Sequence, residues 1–216
     1  MNGFYLAGGA LVLLFTFLVG RFGSHWIGSL YETHRDILTF PAAVKERGRF
    51  RLWLLPLAFF LCGARAVYIA SSPVELFFLL FASALLLLMT VTDFEQYCLF
   101  DAMMLPFAAG GLVLSLIQLP LLTDHLIAAA AGGAVFLVLA ILSRGALGGG
   151  DVKLIAALGL WLGTESLLFV TMAGIIFGGL SALLLMLFRL KKRKSAFAYG
   201  PYFALTALAL FMMRSV

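Results

Sequence analysis

The chain has 216 residues, 63% of them hydrophobic and only 12% charged, with a mean hydropathy of +1.10. Soluble domains carry about 25% charged residues, so no soluble fold of this length could bury so much apolar surface, and the composition indicates a polytopic membrane protein. The formal net charge of +5 is not read as a nucleic-acid footprint, because membrane topology accounts for where the basic residues fall.

Apolar runs cover about 4–20, 52–70, 73–92, 105–122, 125–142, 152–162, 166–188 and 199–213. Crossing about 30 Å of hydrocarbon takes roughly 17–25 helical residues. The pattern therefore predicts an all-α transmembrane helix bundle of about eight spans in one membrane domain covering residues 1–216. The sixth and eighth runs are short for a span.

Charge placement predicts the orientation. With the N-terminus outside, Arg35, Lys45, Arg47, Arg49 and Arg51 fall inside, on a short basic cytoplasmic loop over 31–51. Arg144, Lys153, Arg189, Lys191, Lys192, Arg193 and Lys194 fall on the same side, making 12 of the 15 basic residues. The opposite connections, around Ser71, Thr123 and Thr164, carry none. This is a positive-inside distribution, and it puts Asp93 and Asp151 on the cytoplasmic side. No basic residue precedes Arg21 and no small-residue cleavage site is evident, so the first run is expected to be an uncleaved span.

Cys62 and Cys98 have no CxxC spacing, and His25, His34 and His125 are scattered, so neither a disulfide framework nor a metal cluster is expected. The histidines read as interfacial or loop residues. Gly159/Gly163 and Gly174/Gly178 have the spacing of close helix packing in lipid. Arg65, inside the second run, is expected either to snorkel or to pair with an acid in the bundle.

Carboxylates at the ends of membrane runs are costly and usually functional. Asp93 ends the third run, and Asp151 follows Gly148-Gly149-Gly150 and opens the sixth. Two such acids fit an aspartic protease, in which a carboxylate pair shares one proton and activates water. Gly148 and Gly150 would let the backbone take unusual dihedrals and let a substrate strand approach. Plainer readings stand beside this one: Asp151 as a helix N-cap and Asp93 as an interfacial loop acid. Spacing alone cannot bring the two together.

Longer motifs carry a resemblance. Gly148-Gly-Gly-Asp151-Val-Lys-Leu-Ile-Ala-Ala-Leu-Gly159 resembles the GxGD motif of the type IV prepilin peptidase family of membrane aspartic proteases. Thr92-Asp93-Phe-Glu95 with Asp101 resembles the family's first catalytic motif, and Ala198-Tyr199-Gly200-Pro201-Tyr202-Phe203-Ala204 the segment opening its last helix. The similarity runs over 73–216, a prepilin-peptidase-like catalytic core. It implies catalytic roles for Asp93 and Asp151, with Gly148, Gly150, Glu95, Asp101 and Lys153 shaping the site or anchoring it at the interface. The implied enzyme is a multi-pass protein of the bacterial cytoplasmic (inner) membrane, embedded in the lipid bilayer. It removes short basic leaders from prepilin or pseudopilin precursors with a water nucleophile, no metal and no organic cofactor.

Departures from the family pattern are Phe100 in place of a proline before Asp101, and Tyr199 in place of phenylalanine. The turn after Asp93 is expected to differ accordingly. Many family members have paired CxxC motifs in the first cytoplasmic loop and also methylate the new N-terminus. The loop here has no cysteine, so an unmethylated product is expected. A small proton-coupled transporter using the same acids as a relay, or a non-enzymatic membrane scaffold, are the alternatives from other classes.

Overall fold

The computed structural model describes residues 2–143, 147–188 and 198–213, which form helices and turns with no strand among them. In chain order the helices are α1 (Asn2–Leu18), α2 (Ser24–Thr33), α3 (Val44–Arg47), α4 (Arg51–Ile69), α5 (Pro73–Gln96), α6 (Asp101–Ile117), α7 (Leu119–Leu142), α8 (Gly149–Leu187) and α9 (Gly200–Met213). Arg144, Arg189 and the Lys191–Lys194 cluster lie outside the described residues.

Five helical stretches are long and apolar enough to cross a membrane: Tyr5–Thr33, Val44–Ile69, Pro73–Gln96, Leu119–Leu142 and Gly149–Leu187. Asp101–Ile117 and Gly200–Met213 are shorter apolar helices. Eight full spans are therefore not confirmed. The fourth and eighth runs give helices of 17 and 14 residues, about 26 and 21 Å long at 1.5 Å per residue. The sixth and seventh runs lie in one stretch, α8, broken only at Gly163. The first run also outlasts its expected end at residue 20. It passes through a π-helical turn at Val19–Gly23 and continues as α2 to Thr33.

The chain divides into two compact units, residues 1–103 with 208–216, and residues 104–207. In the first, α5 is the most buried of the long helices. Its entry is set by Ser72, whose hydroxyl accepts from Glu75 N–H at 3.1 Å, with Pro73 in the first turn. Val12, Ile27, Leu55 and Phe59 of the same unit are likewise nearly inaccessible. Gly63 lets α1 and α4 touch: a Cβ there would lie 2.7 Å from the Val12 side chain. Among the described residues Arg65 of α4 pairs with no acid, and it does more than snorkel. Its Nε–H donates to the Met212 carbonyl at 3.0 Å, near the C-terminus of α9, where a cation complements the helix dipole.

In the second unit α8 runs along α7, and small residues bring the backbones together. A Cβ on Gly159 would lie 2.7 Å from the Ala128 carbonyl carbon, and one on Gly133 would meet Ala156 at 3.1 Å. Gly174 and Gly178 receive the rings of Phe203, Tyr199 and Tyr202. Those three glycines of α8 pack as expected, while Gly163 does something else. At φ 70° and ψ −178° it interrupts the helix, a conformation nearly closed to residues with a side chain. Gly132 faces both Ile155 and Leu167, one on each side of the break, so the chain doubles back along α7.

The break leaves polar groups that the surroundings satisfy. In an unbroken helix Thr164 N–H would donate to Leu160 O. Instead it donates to Asp124 Oδ2 at 2.9 Å, and the Thr164 hydroxyl binds Asp124 Oδ1 at 2.5 Å. The Leu160 carbonyl takes the Ser115 hydroxyl at 2.9 Å and lies 3.0 Å from His125 Nδ1, while Ser115 Oγ and His125 Nδ1 are 2.7 Å apart. His125 is thus a buried core residue at 6% exposure, not a loop histidine. The break created the carbonyl it serves. His25 and His34 are exposed, as expected.

Candidate active site

Asp93 lies in the last turn of α5, inside the helix rather than beyond its end, and is 5% exposed. The helix continues to Gln96, and Tyr97 then reverses the chain in the left-handed conformation, φ 53° and ψ 41°. Tyr97 N–H donates to the Asp93 carbonyl at 2.9 Å, closing the helix. Glycine or asparagine usually holds such a position. Tyrosine there is expensive unless its surroundings impose the turn.

The surroundings come from the segment joining α2 to α4. Phe40 packs edge-on against Tyr97, with ring centroids 5.2 Å apart, and the Arg47 guanidinium lies 4.1 Å from the Phe40 ring centroid. Phe40 N–H donates to Gln96 Oε1 at 2.9 Å, and Arg47 donates to the carbonyls of Phe94 and Glu95. Two residues after Asp93, Glu95 is buried and committed: its Oε2 accepts from Tyr31 O–H and from Arg51 Nη1, each at 2.9 Å. Removing water from a carboxylate is costly unless it is paired and hydrogen-bonded, and Glu95 is both. Sequence alone left Glu95 among site-shaping candidates. The structure uses it to fasten the basic 31–51 segment to α5.

Phe100, which stands where the family pattern has proline, is buried against Tyr31 and His34, with centroids 5.9 and 5.8 Å away. Asp101 opens α6 and is exposed. Between the two acids Cys98 is a free thiol. Its pKa is pushed up to about 11 by burial first and then by the negative charges of Asp93 and Asp101.

Asp151 occupies the third position of α8 and is 9% exposed. It is not the N-cap: that is Gly148, with ordinary extended dihedrals, φ −74° and ψ 150°. The Asp151 carboxylate reaches back and accepts from Gly148 N–H at 3.2 Å. This is half of a capping box, since glycine has no side chain to return the bond. A backbone hydrogen bond from Gly200, at the start of α9, also reaches the Asp151 carboxylate. The first-turn position favours negative charge there.

The expectation that Gly148 and Gly150 adopt unusual dihedrals is not met, because Gly163 is the only glycine at positive φ among the described residues. Space does not demand glycine at 148 either. A Cβ there would stand 3.4 Å from Asp151 Oδ2, an ordinary contact distance. Lys153 is exposed while Asp151 is buried, consistent with their two-residue separation on the helix. Gly200 was not among the candidates. Its only signal was the Gly200-Pro201 start of the last helix, where proline suits a first turn.

Residues 79–183 match the type IV leader peptidase family. The matched segment is just under half of the chain. It contains both Asp93 and Asp151, together with α6, α7 and most of α8. A prepilin leader peptidase/N-methyltransferase of Aeromonas salmonicida is 33% identical over 127 residues, and one of Aeromonas hydrophila 32% over 126. Each match covers 56% of this chain and 43% of the relative, so the chain spans less than half the length of the curated leader peptidases it matches. No solved structure shows significant similarity to it. The leader peptidase segment stops short of Gly200 and begins after Tyr31, Arg47 and Arg51, yet these residues supply the polar contacts around its two buried helix ends.

Proposed function

We propose that this chain is an aspartic endopeptidase of the bacterial inner membrane, which removes the short basic leader from type IV prepilin or pseudopilin precursors at the cytoplasmic face. The observation that carries this function is Asp151. It is a buried carboxylate at the start of a membrane helix, held by two backbone N–H groups, within a segment matched to leader peptidases. Backbone donors fix the carboxylate's orientation without adding a cation that would neutralise it.

In the proposed mechanism Asp93 and Asp151 face each other across one water molecule and share one proton, because like charges about 3 Å apart do not both ionise. The ionised member takes a proton from water as the water oxygen attacks the scissile carbonyl carbon. The protonated member donates a hydrogen bond to the carbonyl oxygen, which becomes negative. Collapse of the tetrahedral intermediate breaks the C–N bond as a proton passes to the leaving nitrogen. The titration belongs to the pair, so neither acid has a separate role assigned. Asp101, exposed where α6 begins, contacts the basic leader, Lys153 anchors α8 at the interface, and the mature N-terminus is left unmethylated.

Co-expression with a prepilin tests this. The wild type is expected to convert precursor to mature protein, while Asp93→Asn and Asp151→Asn, each present in membranes at the wild-type level, lose about 10³-fold in rate. Normal cleavage by either variant would eliminate the carboxylate pair, and an uncut precursor with the wild type would eliminate the peptidase itself. Mass spectrometry of the mature N-terminus checks the methylation state.

A further inference from the structure

The segment 34–50 carries several basic residues that membrane topology alone would explain, and Lys45 and Arg49 are exposed as that predicts. Arg47 differs. It is half-buried, and its guanidinium donates through Nε to Glu95 O and through Nη2 to Phe94 O, the latter at 2.9 Å. These are last-turn carbonyls of α5, which have no partner within the helix. The same cation lies over Phe40 at 4.1 Å and within 5.7 Å of the Tyr97 ring centroid. A planar guanidinium can bridge two carbonyls and stack on rings at once, which a lysine ammonium cannot do.

Tyr97 is the only non-glycine residue at positive φ among the described residues, and its N–H closes the helix on the Asp93 carbonyl. Backbone strain of this kind persists where neighbours over-determine it. Arg47 and Phe40 supply that constraint on one side of the turn, and Arg51 with Glu95 and Tyr31 pins the other.

We infer that Arg47 is a positioning residue: by capping the last turn of α5 and holding Tyr97 in its left-handed turn, it presents Asp93 in a single orientation. The inference rests on the proposed catalytic role of Asp93. Small displacements of a reacting group cost up to about 10²-fold in rate while leaving distant substrate contacts intact, so the effect belongs in kcat and not in KM.

The test uses the full chain in membranes with Cys62→Ser, so that Cys98, next to Tyr97, is the remaining thiol. Maleimide labelling of Cys98 reports the turn, and prepilin cleavage reports Asp93. Arg47→Ala is expected to speed labelling about tenfold and to lower kcat about 10- to 100-fold with KM within about twofold. Arg47→Lys keeps the charge and is expected to recover less than about half of the lost rate. Arg49→Ala leaves both readouts at the wild-type level. Should Arg47→Ala fail to accumulate, Phe40→Leu removes the stacking ring alone and is expected to move both readouts the same way. Unchanged labelling and kcat would overturn the inference, as would faster labelling with unchanged kcat, or full rescue by lysine. A wild type that leaves prepilin uncut would remove the peptidase function, and the positioning role with it, while labelling would still judge the Arg47 contact by itself.

Discussion

Gly163→Ala perturbs the one glycine at positive φ among the described residues. At φ 70° and ψ −178°, alanine costs about 1–3 kcal/mol in backbone strain. Its Cβ would also lie 3.0 Å from His125 Cδ2 and would strike the Asp124 carboxylate. Asp124 must then move, which endangers its two bonds to Thr164, each contributing about 0.5–1 kcal/mol. The narrower unfolded ensemble of alanine offsets about 0.4–1 kcal/mol of this. The net is a destabilisation of about 1–5 kcal/mol, centred near 3. Gly179, further along α8, is the internal control, because a Cβ there meets nothing within 4 Å. Alanine at 179 is expected to stabilise the helix by about 0.5–1 kcal/mol. Unfolding in mixed micelles by increasing SDS, followed by far-UV circular dichroism, measures both. A Gly163→Ala variant within about 1 kcal/mol of wild type would refute the reasoning, because the backbone strain would then be absent. Equal losses at 163 and 179 would refute it too, since the effect would then be generic to glycine.

Glu95→Ala leaves Arg51 and Tyr31 without their acceptor, and breaking a buried pair from one side costs about 3–5 kcal/mol. Tyr31→Phe removes one donor and costs about 1 kcal/mol, and the same SDS titration orders the two. Because burial and the charges of Asp93 and Asp101 push the Cys98 thiol up to about 11, its alkylation rate should keep rising through pH 9 and level off only near 11. Removing one of those charges with Asp101→Asn lowers the pKa and speeds alkylation at pH 8. The sign for folding follows, since the unfolded thiol ionises near its ordinary value of 9.0. The contribution to stability is complete below that pH and is lost between 9 and about 11, which thermal unfolding across that range checks. Trp161→Phe keeps the stacking on Phe107 but deletes the indole donor to its carbonyl, 2.8 Å away. The loss expected in the same titration is about 1 kcal/mol.

The helical class and most helix positions were legible because apolar runs and their polar interruptions are local properties of a membrane chain. The start of α8 was legible from glycines running into an apolar stretch, but the cap was off by three residues. An acid can serve the N-terminus from the first turn as well as from the cap, and only the N–H geometry at Gly148 separates the two. His125 was misjudged for a different reason. Its neighbours in sequence describe a helix near its end, while its burial follows from the Leu160 carbonyl freed by the break at Gly163. Glu95 was expected only to shape the site, and its anchoring role was not legible because its partners, Tyr31 and Arg51, lie 64 and 44 residues away.

By itself the sequence determined that this is a helical membrane chain with acids at two helix ends, because hydropathy and charge act residue by residue along the chain. Tertiary structure alone decided that Asp151 receives the Gly200 N–H, that Glu95 anchors a basic segment, and that Arg47 caps the helix carrying Asp93. A hydrogen bond depends on distances of about 3 Å, and separations of tens of residues along the chain place no bound on those.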